Sequence, residues 1–439
     1  MKLHKVIALL CVLAMCAGTL AGCGSGSSSQ ANSAGGGSSG SKITLTFMTW
    51  EATDMATAMT KAMDAFMTAN PNITVKNMAA PLTDYDTKLQ SMISAGQAPD
   101  CFQDGNNSII LHASQGILLD LTSYLGNDSS FAGQFFPGSL DFLKYNGKQY
   151  GLAGLINVYG YFFNKDLFNK AGVALPTADW TADDLFNAAE KLKDTSSKTY
   201  GLYNQSVDPF AISVFTANDY GTAFTDNPYP VTKVSTDANY VAAINKLNQL
   251  ISDGAMSPPT YDGSNLLASF DAGTIPLMRY GQWEASTIIN DPKAANLNWG
   301  FVPNPKGSSP YASVFDMTGW ACSGTSKNPD AAYTLCKYIV SDMYKAVLPQ
   351  FPVAAASYQP ANSDFYKVLE QKGHKDVEDG INTMCAAQVK LPVRFIQPWE
   401  ADAEKAYANW NDMFSGKQDP NSYLPPLVDQ INGIIAKAK

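Results

Sequence analysis

Residues 147–171 read GKQYGLAGLINVYGYFFNKDLFNKA, and the fold turns on how this stretch is read. Glycines at 147, 151, 154 and 160 interrupt a run from Tyr150 to Phe163 that is otherwise apolar and β-prone. The run is too broken for a membrane span. It reads as buried strands that bend where glycine removes the Cβ constraint. Asn164 fits a helix N-cap, Leu167 and Phe168 fall on the first turn, and Gly172 fits the stop. Asn157 is the one polar side chain inside the run, close to Tyr159. A chain that leaves one packed unit and enters another has this pattern. Residues 150–163 are therefore read as a first crossover between two lobes, with Asn157 and Tyr159 near the cleft.

The totals agree with two lobes. A chain of 439 residues exceeds the roughly 250–300 at which single cores stop growing. Composition is globular, at 45% hydrophobic and 16% charged, and the formal charge of −9 argues against a nucleic-acid surface, which needs a basic stripe. Of the 30 basic residues only Arg279 and Arg394 are arginine. Histidine is limited to His4, His112 and His374, which weakens any mechanism built on a histidine base or histidine metal site. Among the cysteines, Cys101, Cys322, Cys336 and Cys385 lie in the body, and no Cys-x-x-Cys occurs, so zinc and thioredoxin readings lack support. Disulfides in an exported protein and small buried thiols both remain open.

The N-terminus carries Lys2 and Lys5 ahead of a short apolar core over residues 6–17. That core is shorter than the roughly 20 residues of a spanning helix and reads as a signal peptide. Leu20-Ala21-Gly22-Cys23 follows and resembles a bacterial lipobox, which implies cleavage after residue 22 and a diacylglycerol on Cys23. The alternative is a secreted protein cut at a small-residue site. Two acyl chains, at about 0.8 kcal/mol per buried methylene, suffice as an anchor. Residues 24–41 are almost entirely Gly, Ser, Ala, Asn and Gln and cannot bury enough apolar surface to fold, so they read as a tether.

In the body, residues 43–50 alternate as a strand, and Met55, Met59, Met63 and Phe66 recur at helical spacing up to Asn70-Pro71. Strands at 73–75 and 98–103 alternate with helices around Leu89 and over 108–115, as expected for an α/β lobe with a largely parallel sheet. Farther on, Thr181 with Asp184 suggests a capping box, and Asn328-Pro329 suggests an N-cap and first helical position. Pro276 removes a ladder donor, so the strand around it is expected at an edge or a bulge.

Several segments resemble one family. They are Asn70-Pro71-x-Ile73, Tyr85-x-x-Lys88-Leu89, Gly96-x-x-Pro99-Asp100, Gly116-x-Leu118, Gly147-Lys148-x-Tyr150-Gly151, residues 163–168, Lys170-Ala171-Gly172, Phe270-x-x-Gly273, Gly281-x-Trp283 and residues 326–332. In order and spacing, from about Ile43 to Lys437, the chain is similar to the extracellular solute-binding proteins of sugar importers, with maltose-binding protein as a distant relative. The resemblance implies a periplasmic-binding-protein-like II fold: two α/β lobes joined by crossing hinge strands, with ligand held between them. The expected bounds are 1–22 for the signal peptide and 23–41 for the tether. Lobe 1 would take 42–155 with 315–346, and lobe 2 would take 156–314 with 347–439.

A sugar site needs flat rings to stack on and fixed carboxylates, amides or guanidinium groups for hydroxyls. Trp50 and Glu51 end the first strand. Asp104, Asn106 and Asn107 follow the third, where the family places hydroxyl-binding groups and where a polar turn is the competing reading. Asn157 is a buried amide in need of partners, with Tyr159 beside it. Asp208-Pro209-Phe210 resembles the Glu-Pro-Tyr of maltose-binding protein, with Phe210 at the stacking position. Trp283 corresponds to the family's stacking tryptophan, and Glu284 adjoins it. Trp320 follows the return crossover, with cleft and core readings both open. Arg394 and Trp399 lie in the proline-rich segment that brings a tryptophan to the sugar in maltose-binding protein, and a structural ion pair is the alternative for Arg394.

The resulting expectation is a lipid-anchored extracellular receptor, a monomer of Gram-positive type. It would bind a carbohydrate, an oligosaccharide for preference, and deliver it to ABC permease subunits. No catalysis, cofactor, metal or nucleic acid is expected. An exported glycosidase and a sugar sensor without import are the alternatives, and some carboxylate pair will always satisfy the spacing a glycosidase needs.

Overall fold

The computed structural model describes residues 41–438 except 52, 205–207, 262 and 308–309. The signal peptide, Cys23 and the tether lie outside the described residues, Ser41 excepted.

Two sheets organise the body. In the first, the strands run in the order Ile73–Asn77, Ile43–Met48, Cys101–Gly105, Asp316–Cys322 and Leu152–Asn157. The first three are mutually parallel and are followed by helices Leu82–Ser94, Thr53–Ala69 and Asn106–Ser114, as βα units require. The strand Asp316–Cys322 arrives from far along the chain and inserts antiparallel between the third strand and Leu152–Asn157. This sheet is therefore discontinuous in sequence. It is also not purely parallel, because one of its five strands runs against the rest.

The second sheet has the order Trp299–Val302, Tyr159–Asn164, Leu277–Gly281 and Tyr203–Asn204. Its side chains alternate between two cores, as the strand period of two demands. Phe162, Met278 and Phe301 face a core shared with the first sheet. Tyr161, Phe163 and Leu277 face a second core with residues of helices Ala182–Leu192, Ala238–Ser252 and Pro420–Lys437. Gly160 is required for close approach, since a Cβ there would overlap the Phe301 ring and the Val302 carbonyl.

The chain switches sheets at Val158, within the stretch singled out from sequence. Leu152–Asn157 belongs to the first sheet and Tyr159–Asn164 to the second. Val158 is fully buried, and its backbone is held by Gln282. The Val158 amide donates to Gln282 Oε1 (2.9 Å), Gln282 Nε2 donates to the Ile156 carbonyl (2.7 Å), and the Gln282 amide donates to the Val158 carbonyl (2.9 Å). A short parallel pair, Ala312–Val314 with Val389–Leu391, precedes the return strand, and Leu155 bridges Ala356 beside the same crossing.

Local readings hold at two helix starts. Asn164 Oδ1 accepts from the amides of Asp166 and Leu167, and Thr181 with Asp184 forms a complete capping box. At Asn328 the side chain makes no capping bond, although Pro329 does open the helix. The reading of Pro276 is corrected. The strand begins one residue later, at Leu277, and is interior to its sheet; Pro276 stays out of the ladder and offers its carbonyl to the Asn164 amide (2.8 Å).

Candidate functional site

Polar side chains gather where the chain changes sheets. Asp316 opens the return strand and lies in register with Asn157, the last residue of Leu152–Asn157. Asp316 Oδ1 accepts from Asn106 Nδ2 (2.9 Å), at the start of the helix that follows the third strand. Burial raises the pKa of Asp316, and the charge of Arg394 pulls it back down. The next residue, Asn107, donates from Nδ2 to Glu400 Oε2 (2.9 Å), joining groups 293 residues apart. Burial pushes Glu400 up to about 7, against its bond from Asn107 and the charge of Arg394.

On the second-sheet side, Tyr159 is half-buried at the head of its strand. The Trp283 ring stands edge-on to it at 5.2 Å, and the Arg279 guanidinium lies 5.4 Å from its ring centre. Burial and the nearby Asp316 push the Tyr159 hydroxyl up to about 12, while the two arginines act in the opposite sense. The Gly-x-Trp pattern has a local cause. The indole of Trp283 folds back over Gly281, where any Cβ would overlap it.

Tyr159, Asp208, Phe210, Arg279, Val314 and Arg394 line a cavity of about 340 Å³, within the range of small-molecule sites. Asp208 anchors its own turn, its Oδ1 accepting from the amides of Phe210 and Ala211 at 2.8 Å each. Phe210 shows the cavity only a margin of its ring, because it is 3% exposed and packs edge-on to Phe395 at 4.9 Å. Arg394 is exposed at the opening. Trp399 is half-buried against Phe395, at 5.0 Å, immediately before Glu400.

Other candidates lie elsewhere. Trp50 and Glu51 border a separate groove of about 1340 Å³ beside helix Thr53–Ala69. There Trp50 meets Tyr85 edge-on at 5.1 Å, and Glu51 accepts from Gln103 Nε2 at 2.8 Å. Asp104 is buried with its Oδ2 3.1 Å from Nδ1 of His112, so it serves the interior of the first lobe. Glu284 is 3% exposed, feels the charge of Asp271 and is not among the residues that line the cavity. Trp320 corrects the cleft reading, since its ring is fully buried against Phe47 and its Nε1 donates to the Tyr344 hydroxyl (2.7 Å). Sequence reasoning passed over Arg279, although the count of two arginines was the available signal.

Among the described residues one group could hold a metal, the buried trio Cys101, Cys322 and Cys336, with sulfurs within 4.8 Å of one another. A structural zinc site calls for four ligands. The Cys101 thiol is already engaged, donating to the Ala332 carbonyl (3.0 Å), and the trio packs inside the first core. No helix among the described residues is long and apolar enough to cross a membrane.

Two mixed sheets joined by crossing strands, with a polar and aromatic cavity at the crossing, define a two-lobed clamp of the periplasmic-binding-protein-like II class. The chain belongs to the family described as bacterial extracellular solute-binding protein, which matches residues 61–378. It is similar to a Brucella abortus (strain 2308) chain named as a binding protein, 26% identical over 383 residues, covering 85% of this chain and 88% of that one. It is also similar to the maltotriose-binding protein of Pyrococcus abyssi, 23% identical over 289 residues, covering 64% of this chain and 58% of that one. A solved ABC substrate-binding protein from Listeria monocytogenes, in complex with cycloalternan, shares the fold at TM-score 0.74 and 24% identity, over 90% of this chain and 99% of that one. Sugar-binding ABC substrate-binding proteins are thus among its relatives, and the family is one of binding proteins.

Proposed function

We propose that the chain is a lipid-anchored extracellular receptor that closes on a carbohydrate, an oligosaccharide for preference, and hands it to an ABC permease. The observation that carries this reading is the cavity at the sheet crossing, where Tyr159, with Trp283 edge-on to it, offers aromatic surface beside Asp208, Arg279 and Arg394. Sugars need this combination of flat rings and fixed polar groups. Asn157, Asn107 and Glu400 extend the polar rim, and Trp399 adjoins it. Trp50 and Glu51 would meet only a longer ligand that reached their groove. Lobe 1 takes 42–155 with 315–346, and lobe 2 takes 156–314 with 347–439. Cys23 carries the lipid, 23–41 forms the tether, and the receptor acts as a monomer at the extracellular face of the cell membrane of a Gram-positive-type cell.

Calorimetry against neutral and acidic oligosaccharides tests the reading, with the sugar recovered and analysed afterwards. Saturable binding with intact ligand is the expected result. New reducing ends would instead make the chain a glycosidase. Mass spectrometry of the cell-derived protein should find diacylglycerol on Cys23; an unmodified chain that starts at another residue would remove the anchor.

A further inference from the structure

Both arginines of this chain line the same cavity. The sequence has 30 basic residues, so the other 28 (30 minus 2) are lysine. Lysine supplies all the remaining positive side chains, and the planar, five-donor guanidinium is confined to the cleft. Arg279 is 9% exposed, on the interior strand Leu277–Gly281. Among the described residues, no carboxylate comes within 4.0 Å of either guanidinium, and neither side chain donates a hydrogen bond to the protein.

A buried cation without a counter-charge is costly, and arginine cannot escape by losing its proton. Arg279 also borders a second cavity, which has Asn204 and the carboxylate of Asp219 in its wall. In front lies the cavity of about 340 Å³. The carboxylates near this front cavity each have one oxygen bonded to the protein and none bonded to Arg279. Asp208 holds its turn, Asp316 accepts from Asn106, and Glu400 accepts from Asn107. Arg394 has Asp316 and Glu400 as its nearest negative charges. Arg279 lies against the face of Tyr159, and Asp208 and Asp219 share cavity walls with it without coming within 4.0 Å of its guanidinium.

Resting on the saccharide reading of this cleft, we propose that the ligand is a saccharide bearing an anionic group, a carboxylate or a phosphate ester. Arg279 is the specificity-determining residue that receives it, and Arg394 guards the opening. Both groups present the paired oxygens that a guanidinium meets with two parallel bonds.

The test is calorimetry on the full mature chain with two matched pairs, trigalacturonate against its methyl ester and maltose 6′-phosphate against maltose. A thermal-shift panel of neutral, uronate-bearing and phosphorylated mono- to tetrasaccharides accompanies it. The charged member of one pair, or the charged class in the panel, should bind about 30-fold tighter, the scale of one charge-assisted bond. The advantage should shrink as salt is added. Arg279→Gln should erase it and Arg279→Lys recover part, with unfolding midpoints showing both variants folded. A split in the uronate pair assigns a carboxylate, and a split in the phosphate pair assigns a phosphate ester. Neutral sugars that bind as tightly as charged ones, or an advantage untouched by Arg279→Gln, overturn the proposal and leave the sugar receptor standing. Failure of every saccharide, charged or neutral, would remove the receptor reading along with it.

Discussion

At the scale of single residues, the cleft depends on what each side chain is left free to do. Trp283 is half-buried, lies across Gly281 and meets Tyr159 edge-on, so much of its ring is already held for a ligand. Trp283→Ala should weaken saccharide binding by about 30-fold or more, the size of an aromatic hot spot, with little change in unfolding midpoint. Titration calorimetry and thermal melts read the two effects separately, and unchanged affinity would take Trp283 out of the site. Its neighbour Glu284 makes the opposite prediction. Burial, reinforced by the charge of Asp271, pushes its carboxyl up to about 7, and its Oε1 lacks a hydrogen-bond partner. The folded state therefore holds the proton more tightly than the unfolded one. Stability should fall as pH rises from about 4.5 to about 7 and stay lowered above that. Glu284→Gln should stabilise the protein at pH 8 by up to about 3 kcal/mol and have little effect at pH 4. Denaturant melts at both pH values would show it, and an equal effect at both would mean that ionisation is not the cause.

At the scale of elements, the crossing strand was legible in the sequence because three independent signals coincided there. Glycines broke an apolar run, a lone amide sat inside it, and a good N-cap closed it. The caps at Asn164 and Thr181 were equally readable, since a capping bond is made within a few residues of chain. What stayed hidden depended on distant partners. Alternation cannot say which face of a return strand meets a cleft, so Trp320 read equally well as cleft or core until Phe47 and Tyr344 were seen to enclose it. Arg279 carried one signal, as one of only two arginines, but its place depends on strand pairings that bring it beside Tyr159 and into the same cavity wall as Arg394. Gln282 was hidden too, between a stacking tryptophan and a glycine, although its side chain makes two of the bonds that fix the crossing. Replacing it by leucine leaves a buried amide and a buried carbonyl without partners, at about 1–3 kcal/mol each. Gln282→Leu should thus lower unfolding free energy by about 3 kcal/mol, seen as a shift of the urea midpoint. A midpoint within experimental scatter of the parent would show that water or a backbone shift replaces the amide.

At the scale of the whole molecule, a clamp works only if ligand contacts favour one arrangement of its lobes over another. The groups that cross the cleft are therefore as informative as those that line it. Asn107, just after the third strand, is bonded to Glu400 on the helix Glu400–Ala406, and the proposed bounds place these two residues on opposite lobes. One hydrogen bond to a carboxylate contributes about 1.5–3 kcal/mol, or about 10- to 100-fold in an equilibrium. That is enough to bias an open–closed balance but too little to lock it. Asn107→Ala should therefore open the ligand-free protein, and small-angle scattering should record a larger radius of gyration than for the parent chain. Saturating saccharide should then restore the parent's compact profile at the cost of about tenfold in affinity, because ligand must now supply the closure that the latch had contributed. If parent and variant scatter identically with and without a ligand that calorimetry shows to be bound, the lobes do not move as a clamp. The hydrogen bond between Asn107 and Glu400 would then be a fixed strut within one rigid body.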